Sequence, residues 1–290
     1  METAALKRSD FRFLDRLRVR WAEVDMQKIV FNGHYLMYFD TAVAGYWRAM
    51  AMPYHETMQA LAGDFYVRKA TLEYLASARY DDLCQTGIRC QRIGNSSMVL
   101  VAALFRGEQL LVHGELLYVF ADPATQTSRT VPPTLRDWFQ DFEAGRPMVD
   151  LRIGGWAELG DMARAIRRAV FTEEQGIAAE LDHDRADGDA LHALATNRMG
   201  LPLATGRAVA EPDGSVKIGR MAVIASMRGS GVGRQMLEGL LARARERGHR
   251  QALLHAQASA VDFYRRAGFA AEGAPFEEAG IVHQAMRRAL

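Results

Sequence analysis

A chain of 290 residues is about twice a common domain length, so two domains are expected. Its 49% hydrophobic and 24% charged residues suit a soluble globular protein, and 36 Lys and Arg against 35 Asp and Glu give no support for a nucleic-acid or anionic-membrane partner. The longest uncharged apolar run, MVLVAALF at 98–105, is far too short to span a bilayer, METAALKRSDFRFLDRL lacks the apolar core of a signal peptide, and Cys84 and Cys90 form no ligand-spaced set, so a cytoplasmic protein with reduced thiols and no metal is expected.

In chain order, RLRVRWAEVD (16–25) alternates with the period of a strand. NGHYLMYFDTAVAGYWRAMAM (32–52) then reads as a long helix, apolar enough to be buried on most sides. Strand-like segments fill the rest of this half, with turns at RIGNSS and FRGEQ, which predicts one long helix enclosed by a largely antiparallel sheet. Polar DPATQTSRTVPP (122–133) and the short amphipathic helix TLRDWFQDFEAG lead to a domain boundary near 146–150. The expected domains are 1–147 and 148–290, unlike one another and so a fusion, not a repeat.

The second half alternates helix and strand, a mixed α/β pattern. A strand (151–159), a helix (DMARAIRRAVFTEEQ), strands at HALATN, LPLATGRAVAE and SVKIGRMAVI, a glycine loop, a helix (232–247), strand QALLHAQ, a short helix and terminal strands are expected. The acidic loop ELDHDRADGDALH (180–192) fails the spacing of a calcium-binding EF-hand, because from Asp182 the Gly falls at position 7 and Ala193 at position 12. It reads as a solvated loop, able to attract an amine.

RGSGVGRQ (228–235) follows a strand and opens a helix. It is not a dinucleotide fingerprint, since the pattern is G-x-G-x-G and Gln251 stands near the place of the ribose-binding acid. Nor is it a Walker loop, because Arg234 and Gln235 follow Gly233. Free amides and the helix dipole favour a pyrophosphate there, with Arg228 and Arg234 adding charge, although a plain glycine-rich turn has the same local pattern. Together MAVIASMRGSGVGRQML and QASAVDFYRRAGF resemble the acetyl-CoA core of the GNAT N-acetyltransferases over roughly 151–290. Arg228, Gly231 and Gly233 match that family's signature, and Tyr264 to Phe269 match its Y-x-x-x-G-F segment.

The resemblance implies that the amides of 229–234, Gly229 among them, hold the CoA pyrophosphate. It implies that main-chain groups of Met221 and Val223 pair with the pantetheine and that Tyr264 protonates the departing thiolate or hydrogen-bonds the thioester sulfur. Gln257 stands where many relatives carry Asn, and Glu173, Glu174 and His255 are candidates for the base that deprotonates an amine acceptor, with a water chain as the alternative.

AEVDMQKIVFNGHYLMYFD (22–40) places Asp25 at a strand end, facing the amides of the long helix at Gly33 and His34. A carboxylate opposite a helix N-terminus can attack a carbonyl whose oxygen the helix end polarises, although a loop or capping acid is equally compatible with the residues alone. VRWAEVDMQKIVFNGHYLMYFDTA, with LEYLASARYDDL and IGNSS, is similar to the 4-hydroxybenzoyl-CoA type of hotdog thioesterases over about 15–135. The resemblance implies Asp25 as nucleophile or base and oxyanion amides at Gly33, His34 and Tyr35, with Asn32 at a position where many members carry His. It also implies a homodimer or homotetramer, because the single curved sheet leaves an open edge.

The fold expected is thus a two-domain α+β and α/β chain, a hotdog followed by a GNAT fold. The expected function is hydrolysis of acyl-CoA combined with acetyl-CoA-dependent acylation of an amine. A thioesterase carrying a CoA-sensing, non-transferring second domain is the alternative. A dehydratase is disfavoured, since that chemistry uses a His–acid pair on the helix.

Overall fold

In the computed structural model, which describes residues 6–182 and 184–290, the chain divides into two compact units, Met1–Met148 and Val149–Leu290. The first unit is an antiparallel sheet in the order β1 (Phe13–Arg18), β3 (Leu83–Ile93), β4 (Ser97–Arg106), β5 (Gln109–Ala121), β2 (Asp64–Tyr74). Helix α1 (Asn32–Ala49) lies against it, followed by α2 (Tyr54–Ala60), while α3 (Pro133–Glu143) closes the unit.

Helix α1 buries Tyr35, Tyr38, Phe39, Ala42, Val43, Tyr46 and Trp47, which recur at the spacing of one helical face. It is not buried on most sides as its composition predicts, because the opposite face, with Met37 56% exposed, has no layer over it. The helix also stops before residue 52. Ala51 turns left-handed at φ 56° and the Met52 N–H folds back onto the Trp47 carbonyl at 3.0 Å, a Schellman-like end reinforced by Pro53. Trp47 stacks on Phe65, and α3 joins the same core through Phe139, Phe142 and the Trp138 indole, which donates to the Met50 carbonyl at 2.8 Å.

The expected strand at 16–25 ends at Arg18, and Trp21–Glu23 forms a 3-10 turn instead. The cause is Glu23, whose carboxylate folds back to accept the Arg20 N–H and Nε–H, each at 2.7 Å.

The second unit is an eight-stranded sheet whose main path is β11 (Ala270–Ala271), β13 (Ile281–Ala289), β10 (Gln251–Gln257), β9 (Val216–Val223), β8 (Pro202–Ala210), β7 (Leu191–Thr196), β6 (Asp150–Gly154). The short β12 (Phe276–Glu278) pairs with β13. Its helices are α4 (Trp156–Arg167), which runs on into a π-helical segment (Arg168–Glu174), α5 (Ala179–Asp182), α6 (Val232–Glu246) and α7 (Val261–Arg266). The strand expected over 151–159 stops at Gly154, and Gly155 caps α4, so that Trp156 and Leu159 lie on the helix. Helix α6 buries Val232, Met236, Leu237, Leu240, Leu241 and Ala244, the stripe read from its sequence.

The acidic loop is not simply solvated. Asp187 is 4% exposed and takes a bidentate pair from Arg167, itself fully buried, at 3.0–3.1 Å, while Arg207 binds both Asp184 at 2.5 Å and Asp187 at 2.9 Å. The Arg167 guanidinium lies 5.1 Å from the Trp156 ring, which also packs against His192 and the Arg164 guanidinium. His183 of this loop lies outside the described residues, as do residues 1–5. Among the described residues no group of three or more His, Cys, Asp or Glu gathers to hold a metal, and no helix is long and apolar enough to cross a membrane. Burial pushes the thiol of Cys84 up to about 11 and that of Cys90 to about 12, so both are protonated at neutral pH.

Candidate active sites

In the first unit the chain between β1 and α1 is folded tightly over Asp25. A bridge between Val24 and Val30 closes the loop, the Asp25 N–H donates to the Ile29 carbonyl at 2.9 Å, and Lys28 takes a left-handed φ of 62°. The Asp25 Oδ1 accepts the Gln27 N–H at 2.8 Å. The Phe31 N–H donates to the Glu23 carbonyl at 2.9 Å, which brings the start of α1 back beside the loop.

Asp25, Phe31, Asn32, Tyr35, Tyr74 and Ser77 all line one cleft of about 490 Å³ whose walls are mostly apolar. Asp25 and the first residue of α1 thus share a cavity, and the N–H groups of Asn32 and Gly33, in the first helical turn, have no acceptor within the helix. The predicted amide at His34 differs, because it donates to the Phe31 carbonyl at 2.9 Å, and the His34 ring stands edge-on to Phe31 outside the cleft lining. The Tyr35 hydroxyl is spent on structure, accepting the Ala78 N–H at 3.0 Å.

Sequence reasoning missed Glu23 and Tyr38. Glu23 is 4% exposed and accepts the Tyr38 hydroxyl at 2.7 Å in addition to the two Arg20 bonds. Burial works against its charge, but these hydrogen bonds outweigh it and hold its carboxyl below the ordinary glutamate range. The only local signal was its place two residues before Asp25.

In the second unit β9 and β10 run parallel but pair only over Val216–Ile218 and Ala252–Leu254. Beyond that they part. Arg220 is left-handed at φ 51° and the register against β8 shifts there, a bulge that bends β9 away. The opening is a cleft of about 590 Å³ lined by Gly219, Arg220 and Met221 on one side and His255, Gln257 and Tyr264 on the other.

The glycine loop lies between β9 and α6. Gly229 and Gly231 are left-handed at φ 81° and 88°, and Gly233 sits where an added Cβ would come within 3.2 Å of Val223. The N–H groups of Gly229, Gly231 and Gly233 have no acceptor among the described residues, so the loop presents a nest of free amides at the positive end of a 15-residue helix. The two arginines differ from the expectation of free phosphate ligands. Arg228 forms a fork with both oxygens of Glu174 at 2.5 and 2.6 Å, and Arg234 binds Glu238 at 2.7 Å. The Arg228 Nε also donates to the Val223 carbonyl at 3.2 Å, which engages an atom expected to face pantetheine.

Tyr264 is 8% exposed, its ring held edge-on by Phe263 and Phe269, and burial pushes its hydroxyl up to about 12. Gln257 donates through Nε2 to Gln175 at 3.0 Å, a partner that no motif announced. Of the base candidates, Glu173 is paired with Arg168 at 2.9 Å. The Arg228 hydrogen bonds hold Glu174 below the ordinary glutamate range, and neither acid lines the cleft. His255 does line it.

A thioesterase superfamily model matches residues 27–113, and an acetyltransferase (GNAT) domain model matches residues 171–290. YbgC, an acyl-CoA thioester hydrolase of Shigella flexneri, is 28% identical over 123 residues, 41% of this chain and 89% of that one. YjcF, an uncharacterized N-acetyltransferase of Bacillus subtilis (strain 168), is 32% identical over 124 residues, 42% of this chain and 87% of that one. The solved structure of a 1,4-dihydroxy-2-naphthoyl-CoA thioesterase from Synechocystis matches at 13% identity with a TM-score of 0.42, covering 45% of this chain and 97% of that one. The first half of the chain thus matches the thioesterase superfamily, and in its second half the chain belongs to the GNAT acetyltransferase family.

Proposed function

We propose that the chain is bifunctional toward CoA thioesters, with a thioesterase domain at 1–147 and an acetyltransferase domain at 148–290. For hydrolysis the observation that carries the reading is the cleft shared by Asp25 and the start of α1. The thioester carbonyl oxygen would be polarised by the Asn32 and Gly33 amides while Asp25 attacks the carbon or deprotonates a water that does so. Asp25→Asn removes that charge with little change in shape. Hydrolysis of a panel of acyl-CoAs, read as free thiol without added amine, should fall by at least about 100-fold with the fold retained. Unchanged turnover would remove the role of Asp25.

For transfer, the supporting observation is the parting of β9 from β10 beside a nest of free amides. A pantetheine arm fits between the strands as an added strand, on Met221 more than on Val223, while Gly229, Gly231 and Gly233 hold the pyrophosphate. Arg228 and Arg234 would contribute through the field of their ion pairs unless CoA displaces the carboxylates. Tyr264, kept protonated by burial, is the acid that meets the departing thiolate. Tyr264→Phe should slow acetylation of an amine by about tenfold or more with acetyl-CoA affinity unchanged, and a full-rate variant would overturn that assignment. Calorimetric binding of CoA with no acetylated product across an amine panel would instead support a CoA-sensing second domain. We place the protein in the cytoplasm, as a homodimer or homotetramer acting on small molecules.

A further inference from the structure

The cleft between β9 and β10 carries a histidine–carboxylate pair of which only the histidine is visible in the sequence motifs. His255 Nδ1 lies 2.8 Å from Glu278 Oε2. An ionised carboxylate can only accept, so Nδ1 carries the proton and the lone pair of the neutral ring sits on Nε2. Phe276 fixes the same ring from another direction, edge-on with centroids 4.9 Å apart, and stacks in turn on His283. Phe276 and Glu278 both belong to β12, which pairs with β13 in the register Phe276↔His283 and Glu278↔Ile281. The turn joining these strands, Ala279–Gly280, is left-handed at both residues, the geometry that matches strand twist in a two-residue hairpin. That hairpin is what carries Glu278 over the end of β10. His255, Glu278 and His283 line the same cleft as Gln257 and Tyr264, whereas Glu173 and Glu174 are held by arginines outside it.

We propose that His255, oriented through Nδ1 by Glu278, is the base that takes a proton from the ammonium form of the acceptor, a primary amine, and that Glu278 is its positioning residue. This rests on the transferase reading above. Nε2 accepts one proton from R–NH3+, and the neutral amine attacks the thioester carbonyl. The C–N bond forms, the C–S bond breaks, Tyr264 gives its proton to the departing thiolate, and the second proton lost from the nitrogen returns, through solvent, to the Tyr264 oxygen, which leaves amide and CoA–SH. The imidazolium then releases its proton to solvent. The charged and titratable groups on the cleft of this pair are Lys217 and Arg220 from β9, Arg207 from β8 with Glu211 just beyond it, Asp184 from the acidic loop, His283 from β13 and Glu278 itself, with the neutral Tyr264 from α7. Burial opposes the Glu278 charge, but the His255 hydrogen bond and the fields of His255, His283 and Lys217 prevail, so its carboxyl stays below the ordinary glutamate range.

The test offers acetyl-CoA and a panel of primary amines to the full chain and follows N-acetylated product by mass spectrometry, so that hydrolysis by the first unit does not enter. His255→Gln and Glu278→Gln should each lower kcat/KM for the amine by about 100-fold with CoA affinity unchanged, and Glu278→Asp should recover part of the loss. Nitrogen-15 spectra should place the proton of neutral His255 on Nδ1 in the parent protein and lose that preference in Glu278→Gln. Amine acetylation that survives in both variants at the parent rate, or a neutral His255 protonated on Nε2, overturns the pair alone. No acetylated amine from the parent protein overturns the transferase reading and the role of the pair with it.

Discussion

Glu23 and Asp187 are acids with little exposure whose charges are kept by the hydrogen bonds they receive, and each fixes a loop beside a cleft. Tyr38→Phe takes one of three bonds from Glu23 and should cost about 1 kcal/mol in urea unfolding. If the Asp25 loop depends on that anchor, hydrolysis should fall in kcat more than KM rises. Asp187→Asn is a harsher change, because Arg167 would be left fully buried with a neutral partner. A loss of about 3 kcal/mol is expected by chemical denaturation. At Asp187 burial raises the carboxyl pKa, but the Arg167 and Arg207 hydrogen bonds more than reverse it, and at Asp184 the Arg207 bond leads. Both folded values are depressed, so the stability they contribute is complete above the unfolded carboxyl value of about 3.9 and is lost as pH falls below it. Acid titration of the parent protein should therefore show a steeper loss of second-unit structure below about pH 4 than Asp187→Asn shows.

At the scale of elements, the attachment of edge strand β2 to β5 depends on a residue with no side chain. A Cβ at Gly114 would stand 2.1 Å from the Thr71 carbonyl oxygen, a backbone atom that cannot swing aside. Gly114→Ala should push β2 off the sheet at a cost of about 2–3 kcal/mol, seen as early hydrogen exchange in β2 before the rest of the unit opens. Much at this scale was legible beforehand. The stripe on α6 survives because a buried face imposes its own period. The failures occur where a long-range contact overrides the local pattern, as when Glu23 curls the end of the first strand into a turn or Ala51 stops α1 early.

For the whole molecule, each unit has its own sheet and core, so each is expected to fold alone: a 149–290 fragment should retain CoA binding by calorimetry, and failure to fold would contradict it. In the first unit β2 is an edge strand, and it exposes Val67 and Tyr74 at 53% and 50%. An open edge with apolar side chains is a pairing surface, the basis for expecting a dimer or a pair of dimers. Val67→Lys should shift the sedimentation profile toward monomer, while an unchanged profile would move the interface elsewhere.

Composition pointed to two domains, and the glycine pattern with Tyr264 downstream and the stretch from Asp25 into a long apolar helix carried the resemblance to two families whose substrates are CoA thioesters. These are local signatures, carried by backbone requirements and residue spacing that survive in one dimension. What the tertiary structure decided is which charges are free. It engages Arg228 with Glu174, buries Asp187 on Arg167, takes the His34 amide away from the Asp25 cleft and lays Glu278 against His255. Each of those pairs joins residues distant in the chain or depends on the register of a turn, and an ionisable group acquires its chemistry only from the neighbours that folding places beside it.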